Sequence, residues 1–216
     1  VCRHRAAKLL SGRNGNYVSL TCPYHGWQYS DNGLLLNTPH FSPSGELSTK
    51  EFSLFPLQVE TWSGMIFINM DLEAPNLTDW LGPIVSAVKK TAPESLEFYR
   101  DVEFEVACNW KNYVDNYQEG YHIPMIHPGL HRDLDWKEYK ITNHPQGSLH
   151  QSKARGDSTH PGSFGWNFPN FAFNSYHHGL SLLRIEPKGS KHTLLTYSFF
   201  RPTSMTVEDF KNIFDY

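Results

Sequence analysis

Apolar and polar positions alternate in short bursts through the first seventy residues. The runs Tyr17-Val18-Ser19-Leu20, Trp27-Gln28-Tyr29 and Leu34-Leu35-Leu36 are each about one strand long. Asp31-Asn32-Gly33 lies between the last two and predicts a hairpin turn, because Asn and Gly tolerate the positive φ that tight hairpins need. Leu57 to Glu60 and Met65 to Asn69, split by Ser63-Gly64, predict a second hairpin. Further turn signals stand at Gly12, Asn14-Gly15 and Ser44-Gly45.

The pattern then changes. Thr78-Asp79-Trp80-Leu81 opens a predicted helix that closes at Lys89-Lys90, with its cations in the last turn. Val102 to Ala107 alternates as a strand. Asn109 suits an N-cap, and Trp110 to about Tyr121 suits a helix. From Pro128 to about Phe164 the chain reads as polar loop. Leu180 to Glu186 and His192 to Phe200 read as strands joined by a turn at Pro187-Lys188-Gly189-Ser190, and a helix begins at Val207. The expected organisation is a small β domain over residues 1–75 and an α+β domain over 76–216.

Charged residues make up 19% and aromatics 14%, which suits a globular chain. A net charge of −3 argues against a general nucleic-acid binder. Apolar runs such as Met65-Ile66-Phe67-Ile68 are far short of a membrane span, and no signal-peptide pattern opens the sequence. Three cysteines cannot build a disulfide framework. Together with twelve histidines they point to a cytoplasmic protein that binds metal.

Position selects among those histidines. Cys2-Arg3-His4 and Cys22-Pro23-Tyr24-His25 are two Cys-His pairs on separate turns. Zinc fingers group their ligands differently, as a Cys pair and then a His pair. Paired in this way, Cys2, His4, Cys22 and His25 suit a Rieske [2Fe–2S] cluster, with both thiolates on one iron and both imidazoles on the other. A Cys2His2 zinc site is the alternative reading of the same four residues. Gly26 would let the backbone approach the cluster, and Pro23 would stiffen the loop.

A second dense stretch runs from Asn109 to Pro128. Glu119 and His122 are three apart and would share a helix face. His122 and His127 are five apart, about 140° off one face of an unbroken helix. Pro124 would break the helix and let His127 swing beside His122. Two imidazoles and one carboxylate form the facial triad of non-heme Fe(II) oxygenases. An amphipathic core helix with satisfied histidines is the plainer alternative.

Cys-Pro-Tyr-His-Gly-Trp at 22–27, followed by Tyr29 and Asp31-Asn32-Gly33, resembles the Rieske domain of the ring-hydroxylating oxygenase α subunits. Glu119, His122 and His127 fall on that family's catalytic motif. Asn-Trp-Lys at 109–111, Asp-Asn-Tyr at 115–117 and Phe168-Pro169-Asn170-Phe171 most resemble its choline- and carnitine-type monooxygenases. The resemblance implies a Rieske domain followed by a helix-grip α+β catalytic domain. It implies a mononuclear Fe(II) on His122 and His127 and electrons from NAD(P)H through a separate reductase or ferredoxin. O2 and a small organic substrate, such as a quaternary amine, would be consumed by a homotrimer.

In that family the acid at the Glu119 position joins a Rieske histidine of one subunit to an iron-ligating histidine of the next, and it is more often Asp. The family's third iron ligand is an Asp expected beyond Tyr216. Asp209 reads instead as a residue of the last helix's first turn, so the sequence is expected to be truncated at both ends. Two alternatives accompany this reading. One is an aromatic-ring dioxygenase; the other is a Rieske ferredoxin-like electron carrier. Phe164, Trp166, Phe168, Phe171, Phe173 and Tyr176 read mainly as core, and His177-His178 as loop or pocket lining.

Overall fold

Two compact units divide the chain, Val1–Ala74 and Pro75–Tyr216. The structure, a computed structural model, describes residues 1–12, 14–41, 47–90, 93–155, 162–176 and 178–214. Ser44-Gly45 and His177 lie outside the described residues.

The first unit holds a three-stranded antiparallel sheet of β1 (Ser19–Thr21), β2 (Gln28–Ser30) and β3 (Leu35–Asn37), in that order. It also holds a hairpin of β4 (Gln58–Trp62) and β5 (Met65–Asn69). Both expected hairpin turns form. Gly33 takes φ +85°, and Ser63 and Gly64 take +48° and +79°. Leu20, Trp27, Tyr29 and Leu35 are buried together with Cys2 and Cys22, so the two Cys-His loops rest directly on the core. Burying an apolar side chain of this size contributes about 2 kcal/mol, which ties loop geometry to core packing.

The second unit opens with two short helices, α1 (Leu77–Leu81) and α2 (Ile84–Lys89), where the sequence predicted one. Gly82-Pro83 separates them: Gly82 sits at φ +56°, and Pro83 has no N–H to continue the ladder. A seven-stranded antiparallel sheet follows. Its strands are β6 (Leu96–Val106), β7 (Lys140–His144), β8 (Gly147–Ser152), β9 (Gly162–Asn167), β10 (Phe171–Tyr176), β11 (Gly179–Pro187) and β12 (Thr193–Pro202). Their order is β6-β12-β11-β10-β9-β8-β7. Only β6, β11 and β12 were legible as strands. β8 shows why the others were not: Ser148, Leu149 and His150 are all buried, so both of its faces are interior and one of them is polar. Period-two hydrophobicity disappears in such a strand.

Helix α3 (Trp110–Tyr117) starts as expected, with the Asn109 side chain accepting from Lys111 N–H at 3.0 Å. It packs Val114 against Trp166, Ala172, Leu183, Ile185 and Leu195 of the sheet. Two short helices follow, α4 (Ile123–Ile126) and α5 (Pro128–Asp133). The last helix, α6 (Val207–Phe214), is capped reciprocally by Thr206 and Asp209. The α+β class expected from the sequence holds.

Candidate metal centres

The two Cys-His loops of the first unit are built alike. Cys2 N–H donates to Ala7 O at 2.8 Å, and Ala6 N–H donates back to Cys2 O at 2.9 Å. Cys22 N–H donates to Trp27 O at 2.8 Å, and Gly26 N–H donates to Cys22 O at 3.0 Å. The residue four beyond each cysteine has positive φ, +56° at Ala6 and +73° at Gly26. Each loop therefore curls round its cysteine in the same way, with its histidine inside the curl, two residues after Cys2 and three after Cys22.

Cys2 and Cys22 are buried and free of disulfides. The rings of His4 and His25 come to 4.7 Å. His4 lies flat on Trp27 at 4.8 Å, and the exposed Tyr24 lies against His25 at 3.8 Å. His4 Nδ1 is buried with no hydrogen-bond partner. An orphaned imidazole nitrogen on a loop whose cysteine is buried and free of a disulfide fits a bound iron–sulfur group.

Protonation agrees with that fit. Burial, then His25 and Arg5, holds His4 below the ordinary histidine value. Burial alone would raise the Cys22 thiol, but the His25 and Tyr24 backbone N–H groups and the Cys2 side chain outweigh it and bring the thiol down. Neutral imidazole and thiolate are the ligand forms. Tyr29, fully buried, sets its hydroxyl 3.2 Å from Cys2 Sγ.

In the second unit, Glu119 and His122 meet by a route the sequence did not predict. α3 ends at Tyr117 rather than Tyr121, so these residues share a turn, not a helix face. One oxygen of Glu119 contacts His122 Nδ1; the other accepts from the backbone N–H of Tyr121 and, at 3.2 Å, of His122. The carboxylate thus pins the backbone of the turn while gripping the ring. Burial would raise the Glu119 carboxyl, yet the His122 ring and these N–H groups hold it below the ordinary value of 4.5. With Nδ1 occupied, His122 has Nε2 left for a metal.

Pro124 also differs from expectation. It lies in the first turn of α4, where a missing N–H costs nothing, and so helps to start a helix rather than break one. α4 gives way to α5 at His127, whose φ/ψ of −120°/63° leaves the helical region. That bend brings the rings of His122 and His127 to 5.2 Å, at 72° to each other.

Among the described residues, no three His, Cys, Asp or Glu side chains stand close enough to hold one ion. Each candidate centre presents its histidines as a ring pair, His4 with His25 and His122 with His127, and Glu119 engages His122 through Nδ1. Asp209 is engaged with Thr206 at its own helix start. His178 is buried and stacked on Tyr176 at 5.2 Å.

The sequence reading missed Tyr139 and His150. Tyr139 Oη lies 2.7 Å from His150 Nδ1, and His150 Nε2 lies 3.2 Å from Ser148 Oγ. Both residues fall in the stretch that reads as polar loop, so nothing local marked them. The one signal was Gly120, directly after Glu119.

Residues 93–214 match the family model for the ring-hydroxylating alpha subunit (catalytic domain), and residues 1–61 match the Rieske [2Fe-2S] domain. Choline monooxygenase of Spinacia oleracea is 31% identical over 220 residues, 95% of this chain and 49% of its own. The carnitine monooxygenase oxygenase subunit of Escherichia coli (strain K12) is 32% identical over 157 residues, 72% of this chain and 42% of its own. The chain spans about half the length of the curated relatives it matches. A solved quaternary ammonium Rieske monooxygenase, described for carnitine oxidation and inter-subunit electron transfer, superposes with a TM-score of 0.77 at 28% identity. That match covers all of this chain and 62% of the other.

Proposed function

The chain belongs to the ring-hydroxylating oxygenase α subunits with a Rieske [2Fe–2S] domain, and from that premise we propose that it serves as the terminal oxygenase of a monooxygenase system. The observation that carries this reading is the second centre: His122 and His127 drawn together, with Glu119 on the Nδ1 of His122. An electron carrier needs no such site. The substrate class we assign is a small quaternary amine, in keeping with the choline and carnitine relatives. Electrons come from NAD(P)H through a separate reductase or ferredoxin, and the assembly is a homotrimer. The reading keeps the protein in the cytoplasm. Among the described residues, no helix is long and apolar enough to cross a membrane.

Cys2 and Cys22 would hold one iron of the cluster through sulfur, and His4 and His25 the other through nitrogen. His122 and His127 would hold the mononuclear ferrous ion. When bound, these groups supply one-electron transfer and O2 activation. The protein's own part is orientation. Glu119 fixes the tautomer of His122, so that Nδ1–H points to the carboxylate and Nε2 is left as the ligand. Its ionised state makes it an acceptor that can take a second imidazole N–H, from a neighbouring subunit's Rieske histidine. Trp27 holds the His4 ring flat, and Tyr24 covers His25.

The test is His122→Ala in the holoenzyme. Oxygenation of a quaternary amine should disappear while the Rieske absorption and reduction by the reductase persist. Iron and acid-labile sulfide should each assay at about two per chain for the cluster alone. Zinc in their place, or turnover that survives His122→Ala, would overturn the reading.

A further inference from the structure

The turn that carries Glu119 and His122 rests on Tyr139. Gly120 is buried, and a Cβ placed there would lie 2.7 Å from Tyr139 Cε1 and 2.9 Å from Tyr139 Oη. The phenol ring therefore occupies the space a side chain at residue 120 would need. That ring is not free to yield. Its hydroxyl is bonded to His150 Nδ1 at 2.7 Å. One face stacks on Trp136 at 4.8 Å and 20°, and its edge meets the His150 ring at 5.9 Å and 78°.

His150 is fixed in turn. It is 1% exposed on β8, paired across to Phe164 of β9 and Ile141 of β7. Its Nε2 reaches Ser148 Oγ at 3.2 Å, and its ring faces the Gln118 backbone at the end of α3. The pair thus touches the turn at two points, Gln118 and Gly120, on either side of Glu119. Trp136 extends the row to His131 of α5, 5.6 Å away, just beyond His127. One aromatic row braces the segments that carry both histidines against the sheet.

We propose that Tyr139 is a positioning residue for the iron site: anchored by His150, its ring fixes the Glu119–His122 turn through the bare backbone of Gly120. Tyr139 touches neither ligand. It acts by denying the turn any other path, so that Glu119 stays on the His122 ring and His122 Nε2 keeps its direction. Burial, then the Glu119 charge, raises the phenol to about 12, so the hydroxyl keeps its proton beside His150 Nδ1. Groups that orient metal ligands typically change affinity about 10–100-fold when removed. Tyr139 works one contact further out, so a loss of about three- to tenfold is expected for its hydroxyl alone.

Two measurements test this on Tyr139→Phe, which keeps the ring and removes only the anchor. The first is amide hydrogen exchange of the metal-free enzyme. Exchange over 118–127 should quicken at least threefold, with β9 to β12 unchanged. The second is ferrous-ion affinity at the mononuclear site, which should fall three- to tenfold with the Rieske spectrum intact. Excess ferrous iron should restore turnover, and KM should hold. Gly120→Ala should lose more than tenfold in the same affinity. Unchanged exchange over 118–127, or equal quickening across the whole sheet, overturns the proposal. The iron arm rests on the functional reading above, whereas the exchange arm does not. Wild-type enzyme that binds no ferrous ion at this site sinks the functional reading, and exchange then still decides the role of Tyr139.

Discussion

The Tyr29 hydroxyl sits 3.2 Å from Cys2 Sγ and accepts the Arg3 backbone N–H at 3.0 Å. With that oxygen lone pair engaged, the phenol proton is left pointing at sulfur. Burial, then the Cys2 side chain, raises Tyr29 to about 12, so the proton is present throughout the working range. Hydrogen bonds to the ligating sulfurs are among the levers that set cluster potentials. Tyr29→Phe should lower the Rieske midpoint by on the order of 50 mV, close to a tenfold change for one electron. Protein-film voltammetry reads it directly; an unchanged midpoint would show that the contact does not bear on the cluster.

The two loops hold different residues at the positive-φ position four beyond each cysteine. Gly26 takes φ +73° without cost, whereas Ala6 holds φ +56° with a Cβ. Gly26→Ala should destabilise the first unit by about 1–2 kcal/mol, through backbone strain alone, since its Cβ would meet only Pro39 at 3.5 Å. Ala6→Gly should be neutral or stabilising by up to about 1 kcal/mol. Urea midpoints for bleaching of the cluster would separate the two.

Glu119→Gln should leave iron content and reduction of the cluster by the reductase near normal. Transfer from the cluster to the mononuclear iron should slow at least tenfold, about 1.4 kcal/mol of barrier. Stopped-flow single turnover makes the distinction. Normal transfer and turnover would make Glu119 a bystander, and complete loss of mononuclear iron that excess ferrous ion does not restore would contradict a role confined to orienting His122 and passing electrons.

Burial holds both His150 and His144 below the ordinary histidine value of 6.5. A group depressed in the folded state contributes stability above its unfolded value and loses it as pH falls toward the folded one. The second unit should therefore lose stability as pH drops below about 6.5, by at most ~1.4 kcal/mol per pH unit for each group. His144→Gln should flatten that dependence without touching the iron site. A thermal-unfolding series from pH 8 to 5 would check the sign.

Asp209 and Thr206 satisfy each other at the start of α6: Asp209 N–H donates to Thr206 Oγ1 at 3.1 Å, and the hydroxyl donates to Asp209 Oδ2 at 2.6 Å. Thr206→Ala should cost about 1 kcal/mol, as loss of a helix cap does. Asp209→Asn should leave mononuclear iron unchanged. Iron lost from that variant would contradict the capping role.

By itself the sequence determined what adjacent residues can settle. The turns at Asp31–Gly33 and Ser63–Gly64 follow from residues that accept positive φ, and Asn109 caps its helix with its own side chain. The tight loops at Cys2–Ala6 and Cys22–Gly26 belong to the same class, because each closes on backbone bonds between near neighbours. The tertiary structure decided what depends on contacts across the chain. α3 stops at Tyr117, and the chain then turns at Gly120, where Tyr139, 19 residues on, fills the space beside it. Strand β8 was illegible because one of its two buried faces is lined by Ser148, His150 and Ser152. Buried polar groups are tolerated only where partners satisfy them. For His150 those partners are Tyr139 and Ser148, and a local reading of hydrophobicity assigns all three to solvent. The physical reason is that polarity marks a surface only until a partner is found, and the partners here come together only in the folded sheet.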